Sequence, residues 1–259
     1  MMKNVFLIIF ILINIDLFSQ DVGHAIYNKQ SNLQFSSDTL DLKMKYLLTE
    51  SNKKIEKLSY KLKFDKSISV YQEIEKINSG ENTSIRISKI LSGFKGIVYL
   101  DNNLNKIISI KEISGKTFYI ENEVSDFEWK ISNEKSKIGK YNCIKATTFI
   151  EKEGRSGVRK IPVEAWFAPD INVQHGPDGF GGLPGLIIKI KKENIVTTLS
   201  EINFRKLDSK IVLPNENTIS QEDFNSLMKE ISLNRRKYYN KNWFFHIINI
   251  VLNNITKLI

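Results

Sequence analysis

A chain of 259 residues, 41% apolar and 26% charged, is long enough to bury a core and too apolar to be a disordered coil. Its formal charge of +9 rests on lysine, since only 6 of the 38 basic residues are arginine, the residue suited to bidentate phosphate contacts; the charge therefore reads as solvated surface, and a nucleic-acid partner is excluded. A single cysteine, Cys143, excludes an internal disulfide and reads as a small buried apolar residue.

In chain order, Lys3 precedes an apolar run from Val5 to Leu17. The run is shorter than the about 20 residues that cross a bilayer, and its lysine-then-apolar order is that of a secretory signal peptide over residues 1–20. The chain is therefore expected to be exported, to the periplasm or the outer membrane, with one domain over 21–240.

"GHAIYNKQ" predicts a first strand, and Leu40, Met44, Leu47 and Leu48 predict a helix. In "KLSYKLKF", Leu58, Tyr60, Leu62 and Phe64 alternate with polar residues, the pattern of a half-buried strand. "SISVYQEI", "GIVYL", "KIISIKEI" and "TFYIEN" continue the series. "DFEWKI" predicts a strand with Phe127, Trp129 and Ile131 on one face. "NCIKATTFIE" and "IPVEAWFAP" flank the loop "KEGRSGVR", and "LIIKIKKENIVTTLSEINF" reads as two strands around "KKEN". About ten strands with short polar links predict a mainly β fold: one curled antiparallel sheet, half-barrel-like, with a few packed helices. Ser220 caps a helix whose stripe is Phe224, Leu227, Met228 and Ile231. Residues 241–259 are expected to form a C-terminal amphipathic helix that docks on the sheet or a partner, or touches a membrane peripherally.

Five of the 13 glycines fall between Gly176 and Gly185. Pro184 and Gly185 suit the two central positions of a type II turn leading into a strand at Leu186, and "PDG" predicts another turn ending at Gly179. The segment lacks the Gly-Lys-Ser/Thr ending of a phosphate loop, and a strand rather than a helix follows it. It reads as a turn cluster closing a sheet. As a candidate ligand or partner groove, its residues are Trp166, His175, Gly176, Pro177, Phe180, Gly181, Gly182, Leu183, Pro184 and Gly185.

With "DFEWKI", "KIGKYNCIKATT", "EAWFAPDI" and "HGPDGFGGLPGLIIKI" in this order, the chain resembles the GLPGLI family of secreted bacterial proteins over roughly residues 96–204. The resemblance implies export into a Gram-negative envelope. It implies no reaction and supplies no catalytic residues.

His24, His175 and His246 stand at no metal-ligand spacing, and no G-x-S-x-G elbow occurs, so neither catalytic residues nor a metal nor a cofactor is assigned. The expected function is non-enzymatic binding of an apolar ligand or an envelope protein partner. Two alternatives stand beside it: a hydrolase using Cys143 and His175, and a structural accessory of an outer-membrane complex.

Overall fold

The computed structural model describes residues 22–35, 41–75, 83–94, 96–113, 115–154, 157–205 and 207–233. The expected signal peptide (1–20) and C-terminal helix (241–259) lie outside the described residues. The strands are β1 (Gly23–Ser31), β2 (Ser59–Phe64), β3 (Ile68–Glu73), β4 (Ile97–Asp101), β5 (Lys106–Ile113), β6 (Lys116–Glu123), β7 (Lys130–Ile138), β8 (Tyr141–Gly154), β9 (Gly157–Ala168), β10 (Leu186–Lys192), β11 (Ile195–Phe204) and β12 (Ile219–Ser220). The helices are α1 (Leu42–Lys53), α2 (Thr83–Leu91) and α3 (Gln221–Leu233).

All 12 strands belong to one sheet, in the order β12-β6-β5-β4-β3-β2-β1-β11-β10-β9-β8-β7. Pairing is antiparallel except between β12 and β6. The order resolves into two meanders, β1 to β6 and β7 to β11, joined where β1 pairs with β11 from Gly23↔Phe204 to Ser31↔Ile195. The expected mainly β, curled, half-barrel-like sheet is present, and it does not close into a barrel.

The curl follows from chain length. Ten inter-strand steps separate β6 from β7, about 48 Å if the sheet were flat. Only residues 124–129 connect these two strands, a reach of at most about 25 Å. The sheet must therefore bend until its two ends approach, with the link crossing between them. This also explains the one misplaced strand. Phe127 and Trp129 lie in that link, and β7 begins only at Lys130. Their rings turn toward Phe180, at centroid distances of 4.9 and 6.3 Å, so packing overrides the alternation in "DFEWKI".

Alternation places Ala25, Tyr27, Tyr60, Leu62 and Phe64 in the main core. α1 and α2 share a smaller core through Leu48, Ile87 and Leu91. Sequence periodicity did not reveal α2, because its three β-branched isoleucines alternate with polar residues over most of its length. α3 starts as expected: the Ser220 hydroxyl accepts the Asp223 N–H at 3.0 Å, and Phe224 meets Phe118 edge-on at 5.7 Å.

Two glycines separate backbone strain from crowding. Gly139, in the β7–β8 turn, has φ +57° and open space where a Cβ would stand; Gly179 has φ +79°, and its Cβ would lie 2.6 Å from Val98 Cγ1. Gly139→Ala is expected to cost about 1–2 kcal/mol, the left-handed penalty alone. Gly179→Ala is expected to cost about 1–3 kcal/mol more, from overpacking. Urea unfolding of both variants checks the difference; equal losses would mean that the 179 site yields freely.

Candidate functional site

The segment between β9 and β10 forms a small hairpin of its own. His175 and Gly181 make an antiparallel bridge, and the Gly182 N–H donates to the Gln174 carbonyl at 3.1 Å. At its tip the Phe180 N–H donates to Pro177 O at 3.1 Å. The central residues have φ of 55° (Asp178) and 79° (Gly179), the values of a type I′ turn. Asp-Gly is a preferred pair for that turn, whose twist matches that of the flanking strands. The expected turn at "PDG" is thus present, shifted so that Asp178 and Gly179 occupy its centre. At "LPG" the expected type II turn is replaced by a tighter one. Gly185 N donates to Leu183 O at 2.8 Å across Pro184, while Leu186 N donates to Ile171 O at 3.2 Å. A strand does begin at Leu186.

The hairpin is set among strands from both meanders. Gly179 abuts Val98 and Ile107 of β4 and β5, Gly181 abuts Leu100 of β4, and Gly176 abuts Ile187 of β10. Trp129 Nε1 donates to the Gly181 carbonyl at 2.9 Å.

The hairpin tip carries a charge into the core. Lys29 Nζ stands 2.9 and 2.8 Å from the two carboxylate oxygens of Asp178, with side chains 0% and 5% exposed. Nζ also donates to Ser92 O at 3.3 Å and lies 4.7 Å from the Tyr60 ring centroid. Tyr60 stacks on Tyr71 at 5.5 Å, and Tyr27 meets Tyr71 edge-on at 6.2 Å. The Tyr27 hydroxyl donates to Ile187 O at 2.8 Å, and the Tyr60 and Ser92 hydroxyls are 3.2 Å apart. The buried Tyr71 hydroxyl has no hydrogen-bond partner. Burial lowers the Lys29 pKa, opposed by the charge of Asp178, and burial raises the pKa of all three tyrosines.

His175 is 0% exposed. Its Nε2 lies 3.0 Å from the Asp65 carbonyl, so that nitrogen carries the proton and donates; Nδ1 faces Asn102 Nδ2 at 3.5 Å and accepts. Burial pushes its pKa down to about 4, opposed by the Asp65 carbonyl.

Of the ten residues expected to form a groove, Gly182 and Pro184 are exposed and the other eight are buried. Phe180 and Leu183 share a cluster with Ala165 and Phe167, whereas Trp166 lies on the opposite face of β9 with Cys143. Trp166 Nε1 donates to Glu164 Oε1 at 3.0 Å. Cys143 is buried as expected; its contact is Tyr141 O at 3.7 Å, and burial raises its pKa to about 11. Cys143 and His175 are not hydrogen-bonded to each other, each having other partners. An open cleft of about 460 Å³ is lined by Lys135, Lys137, Asn142, Cys143, Pro169 and Asp170 among others. Among the described residues no group of three or more His, Cys, Asp or Glu side chains could hold a metal ion, and no helix is long and apolar enough to cross a membrane.

Lys29 and Asp178 were not singled out from sequence. The available signal was parity: Lys29 continues the buried series Ala25, Tyr27 along β1.

A second feature is the β8–β9 arm. β7 stops pairing with β8 at Lys130↔Thr147, and β10 stops pairing with β9 at Lys192↔Val163. From Phe149↔Pro162 to Gly154↔Gly157, six residue pairs continue with no flanking strand. The arm is about 20 Å long and exposes Phe149 (55%) and Val158 (62%) on one face with Pro162. Lys152 pairs with Glu193 at 3.2 Å.

A family model described as "Protein of unknown function (Porph_ging)" matches residues 150–189: the outer arm, the rest of β9, the hairpin and the start of β10. No curated protein matches the chain. Two solved structures of PNGF-II, in space groups C2 and P21, are similar at 13% identity, with TM-scores of 0.48 and 0.47. Each match covers 81% of this chain and 33% of that one, so this chain spans about a third of the length of PNGF-II.

Lys29→Met leaves Asp178 buried and unpaired and is expected to cost about 3–5 kcal/mol. Adding Asp178→Asn should cost less than the sum of the two single changes; additive losses in urea unfolding would rule out direct coupling. His175 has a folded pKa of about 4 against 6.5 in the unfolded chain. As pH falls below 6.5 the unfolded chain takes the proton first, so stability is complete above that value and falls down to about 4. The loss is on the order of 3 kcal/mol. His175→Gln, which keeps a donor for the Asp65 carbonyl, should flatten this window in urea midpoints measured against pH.

Proposed function

We propose that the protein is an exported binding module of the cell envelope, and that its ligand is a protein partner engaged through the β8–β9 arm. The supporting observation is the arm itself. Two strands continue for six residue pairs without a flanking strand and turn Phe149, Val158 and Pro162 outward. An isolated two-stranded ribbon is marginal in water, so exposed apolar groups on one serve a contact better than a fold. Glu151, Lys152, Arg159 and Lys160 give the arm both signs of charge, which suits a protein surface better than a polyanion.

An apolar small ligand is the weaker reading. The carrier it implies needs open space beside Phe180, where Phe127, Trp129 and Leu183 pack. The hydrolase reading needs Cys143 within reach of His175, and each is bonded elsewhere. The accessory reading depends on residues 241–259 and is tested with them deleted.

A photo-crosslinking residue at position 149 or 158, in the protein expressed in its own cell, is expected to give one discrete protein adduct. The same residue at Val212, 67% exposed and outside the arm, should give none. Phe149→Ser with Val158→Ser should weaken partner binding about ten-fold or more. Bound lipid in native mass spectra, with no adduct at either arm position, would sink this reading in favour of the apolar ligand.

A further inference from the structure

We propose that Lys29 and Asp178 react with each other to form an intramolecular isopeptide cross-link between β1 and the hairpin tip. The Lys29 amine nitrogen touches both oxygens of the Asp178 carboxyl group, at 2.9 and 2.8 Å, and neither side chain reaches solvent appreciably. Both ends are held. The Tyr60 ring and the Ser92 carbonyl seat the amine, and the type I′ turn holds the carboxyl. Positioning of this kind replaces a bimolecular encounter by a contact, worth effective concentrations of about 10⁵–10⁸ M in favourable cases.

The step balances without a further reagent. In a medium of low polarity, transfer of one proton from the Lys29 ammonium to the Asp178 carboxylate removes both charges. The neutral amine then attacks Cγ of the carboxylic acid, and a C–N bond forms. The C–OH bond breaks, and the hydroxyl departs as water with a proton from nitrogen. The products are one amide and one water, with nothing oxidised or reduced. Tyr71, stacked on Tyr60, brings a buried hydroxyl without a hydrogen-bond partner into the same ring cluster. Exclusion of water from the pair also protects the amide from hydrolysis. The link would join residues 149 positions apart.

Asp178 precedes Gly179, so one rival reaction also loses water: attack of the Gly179 nitrogen on the same Cγ to give a succinimide. The test separates the two. The intact purified chain, denatured and weighed, is expected about 18 Da lighter than its sequence. A tryptic digest should contain a branched peptide joining Lys29 to Asp178, with no cleavage after Lys29. Lys29→Arg can still pair with the carboxylate but lacks the reactive amine, and should show the full mass. Full mass with normal cleavage at Lys29 in the wild-type chain would overturn the proposal. So would a loss of water that persists in Lys29→Arg, which marks the succinimide. The wild-type digest decides the matter even if the variant fails to fold.

Discussion

The buried contact between Lys29 and Asp178 is the constraint around which this fold is arranged. A charge pair in a core costs several kcal/mol per ion in lost hydration, recovered only where geometry is good and the remaining donors are satisfied. Here Asp178 accepts through both oxygens, and Lys29 finds Ser92 O and the Tyr60 ring as further partners. Each charge alone would be severely destabilising, so the pair permits one placement of the hairpin relative to β1. Lys29 comes from the first strand and Asp178 from the β9–β10 connection, so the contact ties one meander to the other.

The hairpin and the curl of the sheet support one another. The short β6–β7 link forces the sheet to bend, and the hairpin packs against both meanders: Val98 and Leu100 on one side, Ile187 on the other. Glycine lets the hairpin backbone approach Val98 closely at position 179. Phe180 fills the space toward Phe127 and Trp129, the rings that the same link carries. Neutral His175 fits this setting, its ring nitrogens occupied by a backbone carbonyl and an amide. The glycine-rich segment thus acts as an interior part of the protein, and large apolar side chains exposed to solvent lie elsewhere, among them Phe149 and Val158 on the β8–β9 arm.

Much of the architecture was legible in the sequence because strands half-exposed to water must alternate. Leu58, Tyr60, Leu62 and Phe64 announced β2, and the β10–β11 hairpin was readable around "KKEN". The turn at Pro177–Gly179 was readable from its residue types. The strand at Phe127–Trp129 was misread, since a link that packs its aromatics inward imitates alternation. α2 was missed, because its helical state depends on Ile87 and Leu91 meeting α1.

By itself the amino-acid sequence determined the β class, the antiparallel hairpins, the capped helix at Ser220 and the glycine-rich corner before β10. Each follows from local periodicity or from the φ preferences of a few residues. Only the tertiary structure decided that β1 joins the two meanders, that the corner points into the core, and that Lys29 meets Asp178. Those outcomes depend on contacts between residues far apart in the chain, which no local propensity encodes.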